Sequence, residues 1–270
     1  MLHTIISLDY HHRHNYLFIS DKKVNTIFRI DSGTNDILPI IEGEGQKPTA
    51  LAVDWLNDYL YWADGGFNRI SVSDFTGNTR RTVHQTEIYT IGAIAIDVFT
   101  GQMFWTNFGQ TALIEMSALD GTSRASLVDD AEKPVGLTLD PILNVIYWSD
   151  VRRGTIESMD YAGQNRRIII RNLKYPSSLK VFENHIYWTD LLDKQVFSTN
   201  RFQQTGPKSV RKVKALNGRR MASILIKHEV VQEAGHFVSG VNFLLAIFSC
   251  IFLHKINMYA THIYAAYTLV

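Results

Sequence analysis

Cysteine is almost missing from this chain. The one residue, Cys250, leaves no internal disulfide to form and no cysteine-based zinc site. Surplus charge is missing too: 27 basic against 26 acidic residues give a net +1, which points to no nucleic-acid partner. The first nine residues, Met1-Leu-His-Thr-Ile-Ile-Ser-Leu-Asp9, carry no basic leader, long apolar core or small-residue cleavage site. They do not read as a secretory signal. Asn-x-Ser/Thr sequons, phosphate-cradling glycine loops, dinucleotide fingerprints and a Ser-His-Asp order are likewise lacking. Apolar material is not scarce: 46% of the 270 residues are hydrophobic, ample for a core.

What the chain does have is repetition. Five segments align: Tyr16-Leu-Phe-Ile-Ser-Asp21, Tyr59-Leu-Tyr-Trp-Ala-Asp64, Gln102-Met-Phe-Trp-Thr-Asn107, Val145-Ile-Tyr-Trp-Ser-Asp150 and His185-Ile-Tyr-Trp-Thr-Asp190. Taking Phe18, Trp62, Trp105, Trp148 and Trp188 as equivalent, the steps are 44, 43, 43 and 40 residues. Ahead of each lies an apolar strand ending in an acid in four units: Ile5–Asp9, Leu51–Asp54, Ile94–Asp97 and Leu137–Asp140. The fifth, Leu179–Phe182, has no acid. Behind each come a third strand, a Gly-containing turn (Gly77, Gly121, Gly163) and a fourth strand opened by Arg80, Arg124 or Arg166. Four short strands per unit of about 40–45 residues, with no helical period, is the arithmetic of a β-propeller blade.

The tetrads Tyr61-Trp62-Ala63-Asp64, Phe104-Trp105-Thr106-Asn107, Tyr147-Trp148-Ser149-Asp150 and Tyr187-Trp188-Thr189-Asp190 resemble the YWTD (LDL-receptor class B) repeats. The flanking Lys133-Pro-Val-Gly-Leu137 agrees with them. The resemblance, to LDL-receptor-related proteins, vitellogenin receptors and nidogen, covers roughly residues 4–227. It implies an all-β fold of the six-bladed type, a non-catalytic protein-binding role, and a place at the cell surface. Blades are expected over about 4–41, 49–85, 92–129, 135–171 and 177–214, within a propeller domain of residues 1–228. A strand at 221–227 would open a sixth blade, whose other strands and following EGF-like module are absent. The chain therefore reads as a fragment, an isoform or an imperfect gene model.

A residue repeated in every unit is a packing device before it is a site. The tryptophans are expected between blades, and the hydroxyls and acids of the tetrads on backbone amides. The departures (Phe18 for Trp, Ala63, Asn107, Phe182) are expected to be locally looser. The group His11-His12-Arg13-His14 is expected in a solvated hairpin rather than on a metal. The basic run Lys208 to Arg220 is expected to be a solvated strand and loop. The inner strands, such as Ala50-Leu-Ala-Val53, offer no converging carboxylates, so neither metal nor other cofactor is expected, nor an enzyme.

Binding falls to the loops at one end of the ring. Those between strands 2 and 3 contribute Lys22, Phe67, Asn68, Phe108, Arg152, Arg153 and Asp193. Those leading to the next blade contribute Glu87, Tyr89, Asp130, Glu132 and Tyr175. Aromatics among charges suit a protein–protein patch. The family resemblance implies a protein ligand of the lipoprotein, yolk-protein or signalling class, bound by an endocytic or signalling receptor. A nidogen-like matrix propeller is the alternative, and a propeller hydrolase a lesser one. Past a linker at 229–236, the tail 237–270 changes character. Residues 237–253 carry no charge, near the minimum of about 17 residues for a membrane helix. A membrane anchor, read-through sequence and a packed helix all fit.

Overall fold

In the computed structural model residues 5–202, 210–215, 223, 226–227 and 244–245 are described. They form five four-stranded antiparallel sheets, the blades of a propeller, each meandering in chain order. Blade 1 is β1 (Ile5–His11), β2 (Tyr16–Asp21), β3 (Thr26–Asp31) and β4 (Ile37–Ile41). Blade 2 is β5 (Pro48–Asp54), β6 (Tyr59–Asp64), β7 (Arg69–Asp74) and β8 (Arg80–His84). Blade 3 is β9 (Thr90–Asp97), β10 (Gln102–Phe108), β11 (Leu113–Ala118) and β12 (Ala125–Val128). Blade 4 is β13 (Pro134–Asp140), β14 (Val145–Asp150), β15 (Thr155–Asp160) and β16 (Arg167–Ile170). Blade 5 is β17 (Pro176–Phe182), β18 (His185–Asp190), β19 (Gln195–Asn200) and β20 (Arg211–Ala215). A strand pair, β21 (Ile226–Lys227) with β22 (Leu244–Leu245), follows. A sixth four-stranded sheet is not among the described residues. The strand expected at 221–227 is represented by β21.

The first strands sit innermost, β1 packing on β5, β5 on β9, β9 on β13 and β13 on β17. No comparable packing joins β17 to β1 among the described elements. Side chains alternate along a strand, so each blade shows one row to the blade before and another to the blade after. Trp62 meets blade 1, Trp105 blade 2, Trp148 blade 3 and Trp188 blade 4, while Tyr61, Phe104 and Tyr147 face forward. All four tryptophans are at most 1% exposed, and each withdraws on the order of 150–250 Å² from water.

The tetrad hydroxyls stitch neighbouring blades. Thr106 Oγ1 accepts from Ala93 N (3.0 Å) and donates to Val135 O of the next blade (3.5 Å). Ser149 Oγ accepts from Gly136 N (3.0 Å) and donates to Ser177 O (2.9 Å). The inner strands come so close there that a Cβ on Gly136 would lie 1.9 Å from Ser177 O. A second joint plugs each interface at the other end of the ring. The residue just after a third strand, Phe75, Leu119, Tyr161 or Arg201, reaches back to the previous blade.

Register corrects three expectations. Leu51 pairs with Trp62 and Leu8 with Ile19, so Ile19, not Phe18, occupies the tryptophan slot of blade 1, and the first step is 43 residues. Phe18 takes the slot of Tyr61, facing blade 2. The residue equivalent to Asp54 is then His11, not Asp9. His11 is 0% exposed rather than part of a solvated hairpin. Its Nδ1 accepts the amide of His14 (3.1 Å), as Asp54, Asp97 and Asp140 accept amides in their own turns. Asp9 instead holds the amide of Val53 in blade 2 (2.9 Å).

The four departures from the repeat stay buried. Phe18 and Asn107 are 0% exposed, Ala63 1% and Phe182 6%. Phe182 needs no carboxylate, because only Glu183 and Asn184 separate it from its partner His185. The other blades turn over four residues and use an acid or His11 to cap them.

The tail 237–270 lies outside the described residues except for Leu244–Leu245, which are strand. No helix in the described residues is long and apolar enough to cross a membrane.

Candidate functional site

The last residue of each tetrad decides where the loops stand. Asp64 accepts the amides of Lys47 and Gly66 at 3.0 Å each, and pairs with Arg69. Asp150 accepts those of Glu132 (2.8 Å), Lys133, Arg152 and Arg153, and Asp190 those of Tyr175, Leu192 and Asp193. One buried carboxylate thus pins its own 2–3 loop and the loop entering its blade. Asn107 performs the task with an amide, accepting from Tyr89 N (3.0 Å) while donating to Glu87 O (2.8 Å) and Glu115 Oε2 (2.9 Å). A side chain able to donate and accept does both.

On blade 4 this end carries a charge network. Arg153 lies between Asp130 (3.6 Å), Glu132 (3.5 Å) and the buried Glu157 (3.9 Å). Arg166 binds Asp130 and Glu157 and stacks on Trp148 at 5.3 Å. The hydrogen bond from Arg166, more than any other contact, holds the Asp130 carboxyl below its usual range. Asp130 is still 56% exposed and Glu132 46%, so anchored guanidinium groups present free carboxylate edges. Arg152 is exposed beside them. On blade 5 Lys174 pairs with Asp193, which raises the lysine pKa, and Lys133 lies 5.8 Å over Tyr175.

The other anticipated residues form two further groups. Glu87, Tyr89 and Phe108 gather around Asn107, with Arg124 reaching Glu87 O and the buried Glu115. Phe67, 44% exposed, lies under Arg69 at 4.6 Å, beside Asn68 in a left-handed turn conformation. Lys22 is exposed on blade 1.

Glu115, Arg124, Glu157, Arg166 and Arg69 were not among the anticipated residues. Their signal lies in register: Trp105 faces Glu115 across the strands, and Trp148 faces Glu157. Arg124 and Arg166, just ahead of the fourth strands of blades 3 and 4, then neutralise the glutamate beside each ring.

Among the described residues one cluster has metal-ligand spacing: His11, His14 and Asp58. His11 Nε2 lies 2.9 Å from Asp58 Oδ1 and 3.1 Å from Trp55 O, and His14 Nε2 lies 3.4 Å from Asp58 Oδ2. Its polarity opposes a metal. A histidine ligating through Nε2 carries its proton on Nδ1 and donates it. The Nδ1 of His11 faces the His14 amide donor, so its proton belongs on Nε2, toward Trp55 O and Asp58. The cluster ties two hairpins together.

Comparison with known proteins locates this architecture. No family model matches the chain. It is 28% identical over 203 residues to the vitellogenin receptor Yl of Drosophila melanogaster, covering 74% of this chain and 10% of that protein. The chain thus spans about a tenth of the length of that relative. A chain in the crystal structure of a nidogen/laminin complex superposes with a TM-score of 0.72 at 25% identity, over 78% of this chain and 79% of the other. A luciferin-regenerating enzyme (TM-score 0.70, 10% identity, coverage 84% and 81%) also superposes, as does the gluconolactonase XC5397 of Xanthomonas campestris (0.69, 12%, 84% and 80%). At those identities the two enzymes share the fold alone.

Proposed function

We propose that this chain, a YWTD-repeat propeller of the LDL-receptor type, is a non-catalytic module that binds a protein ligand through its loop end. The observation carrying this reading is the blade 4 network. Guanidinium groups fixed by buried Glu157 hold exposed Asp130 and Glu132 in place, beside a free Arg152. Pre-ordered charges cost little to immobilise when a partner arrives, and they set specificity and encounter rate. The ligand class is a charged protein surface of the lipoprotein, yolk-protein or signalling kind, met on the extracellular face of a membrane receptor that internalises it. In its working form the ring is six-bladed. A sixth sheet between β17 and β1 is supported by the lack, among the described elements, of packing between them comparable to that of neighbouring inner strands. Hydrolysis is not proposed, since Asp64, Asp150 and Asp190 are committed to loop amides, and Asp130 and Glu132 are paired with arginines and Asp193 with Lys174.

The test measures binding of purified vitellogenin to the immobilised chain at 50 and 300 mM salt. Glu132→Arg with Arg153→Glu is compared with Ile142→Ser, a change at the opposite end where Ile142 is 91% exposed. A tenfold or greater loss for the charge swap, with Ile142→Ser unchanged, supports the reading. Equal binding by all three proteins overturns it. The nidogen/laminin likeness favours a second reading, a matrix propeller. Substituting laminin for vitellogenin in the same assay tests that reading.

A further inference from the structure

At the end of the ring away from the ligand-binding loops, the turns between first and second strands carry side chains that the fold does not require. In blades 2, 3 and 4 the capping carboxylates Asp54, Asp97 and Asp140 accept the backbone amides of Leu56, Phe99 and Ile142. The side chains of those three residues are not part of the cap, and a polar residue would serve each turn as well. Yet this one turn position is apolar in three successive blades, with exposures of 47%, 58% and 91%. Leu143, 48% exposed, widens the arc on blade 4. Trp55 stands edge-on to Phe99 at 5.6 Å and joins the tips of blades 2 and 3. An apolar run of this kind over neighbouring tips marks a docking surface, whereas exposed apolar residues scattered singly do not.

The two ends of the arc say what docks. In blade 1 the same turn position is the exposed Arg13, and in blade 5 the tip of the shorter turn is the exposed Glu183. Around this face the order from blade 1 to blade 5 is therefore basic, apolar, apolar, apolar, acidic. Such a row complements itself when reversed. A two-fold axis lying in the face and passing through blade 3 lays blade 2 of one copy on blade 4 of the other, and blade 1 on blade 5. Apolar tips then meet apolar tips, Phe99 meets its own counterpart on the axis, and Arg13 meets Glu183 of the other copy twice. A lipid surface would accept the tips and Arg13 but not the carboxylate of Glu183. We infer that this face pairs two copies of the chain end to end, with both sets of ligand-binding loops turned outward. The inference does not depend on the ligand: Ile142→Ser weakens the pairing, yet leaves a ligand held by single immobilised chains unaffected.

Sedimentation of the full-length chain at micromolar concentration tests it, and a dimer is expected. Phe99→Arg sets like charges against each other on the axis. Arg13→Glu or Glu183→Arg, made singly, sets like charges together at both ends of the arc. Each is expected to weaken pairing by about tenfold or more. Arg13→Glu combined with Glu183→Arg restores opposite charges and is expected to recover the dimer. A monomer throughout, including one that floats with phosphatidylcholine vesicles, overturns the inference, as does a dimer indifferent to Phe99→Arg. Single charge changes that weaken the dimer without recovery in the double variant overturn it too, since the axis would then be wrong. Should a charge variant not fold, Phe99→Cys in a Cys250→Ser chain, which removes the sole native thiol, decides the matter. Mild oxidation is expected to link the on-axis thiols of two copies, while Ile142→Cys in the same background, off the axis, stays unlinked. No link at position 99, or an equal one at 142, refutes the pairing.

Discussion

In blade 4 the slot facing the preceding sheet holds Trp148, the strand-end cap is Asp140 and the plug after the third strand is Tyr161. In blade 1 the same three places hold Ile19, His11 and Ser32. The backbone register is shared, yet none of the three residues is. Position carries the architecture: an apolar side chain, an acceptor aimed at the turn amides, and a residue after the third strand. Which residue supplies each depends on what stands opposite. Trp148 fills a seam against Phe104, Ile114 and Val128 of blade 3, so truncation leaves a large cavity there. Trp148→Ala is expected to cost about 3–5 kcal/mol, and Ile19→Val about 0.5–1.5 kcal/mol. Urea midpoints read both; equal losses would mean that the two slots are equally filled.

The plug position sharpens the comparison at the opposite end of the ring. Arg201 closes the seam between blades 5 and 4 by pairing with Asp140, with side-chain exposures of 9% and 6%. Burial first, then the charge of Asp97, pushes the hydroxyl of Tyr161 far up at the seam before it. Removing one partner from a buried pair strands the other's charge. Arg201→Ala is expected to cost about 3 kcal/mol, and the double change Arg201→Met, Asp140→Asn, which removes both charges but keeps an acceptor for the turn amides, less. A double variant as unstable as the single one would show that the methylene packing of Arg201, not its charge, closes the seam.

His11 turns the contrast between caps into a pH test. Burial, then the neighbouring His14, lowers its pKa from 6.5 despite the opposing pull of Asp58. Since the unfolded chain binds that proton more readily, the stabilisation from His11 is whole above about pH 6.5 and is lost as pH falls. His11→Ala, which leaves the His14 amide without its acceptor, is expected to cost about 0.5–1.5 kcal/mol at pH 7.5 and to flatten the acid limb in part. His84, held to about 4 by burial and Arg124, keeps its own share of that limb. An acid limb unchanged by the substitution would remove His11 from the account.

Those substitutions mark what was legible in the chain. The blade count of the described residues follows from tetrads recurring every 43 or 40 residues, since a seam must be filled in every blade. Blade 1 misled because its slots are taken by residues of other types. Alignment on the nearest aromatic chose Phe18, and alignment on the nearest acid chose Asp9, each out of place once Leu8 pairs with Ile19. The loop-end residues were visible one by one, but not the order among them. Glu157 lies on β15 and Arg166 just ahead of β16, where sequence alone assigns them to packing or solvent. Only cross-strand register shows that they fix Arg153 and Asp130.

The smallest expected effect concerns the one tetrad without a hydroxyl. Thr106, Ser149 and Thr189 accept an inner-strand amide of their own blade, and Thr106 and Ser149 also donate to the next blade. Ala63 stands at that place in blade 2, 1% exposed and opposite Ala50. By the shared register, a serine there would accept from Ala50 N and donate to the carbonyl of Gly92, the counterpart of Val135 and Ser177. Serine adds a single oxygen, and a net hydrogen bond contributes about 0.5–1.5 kcal/mol before the cost of fitting it into a filled seam. Ala63→Ser is therefore expected to stabilise the chain by about 0.5 kcal/mol, seen as a small rise in urea midpoint at unchanged slope. A loss instead would mean that blades 2 and 3 stand too close for the oxygen. Alanine would then be required there by spacing, making blade 2 the departure that sets the gap between inner strands.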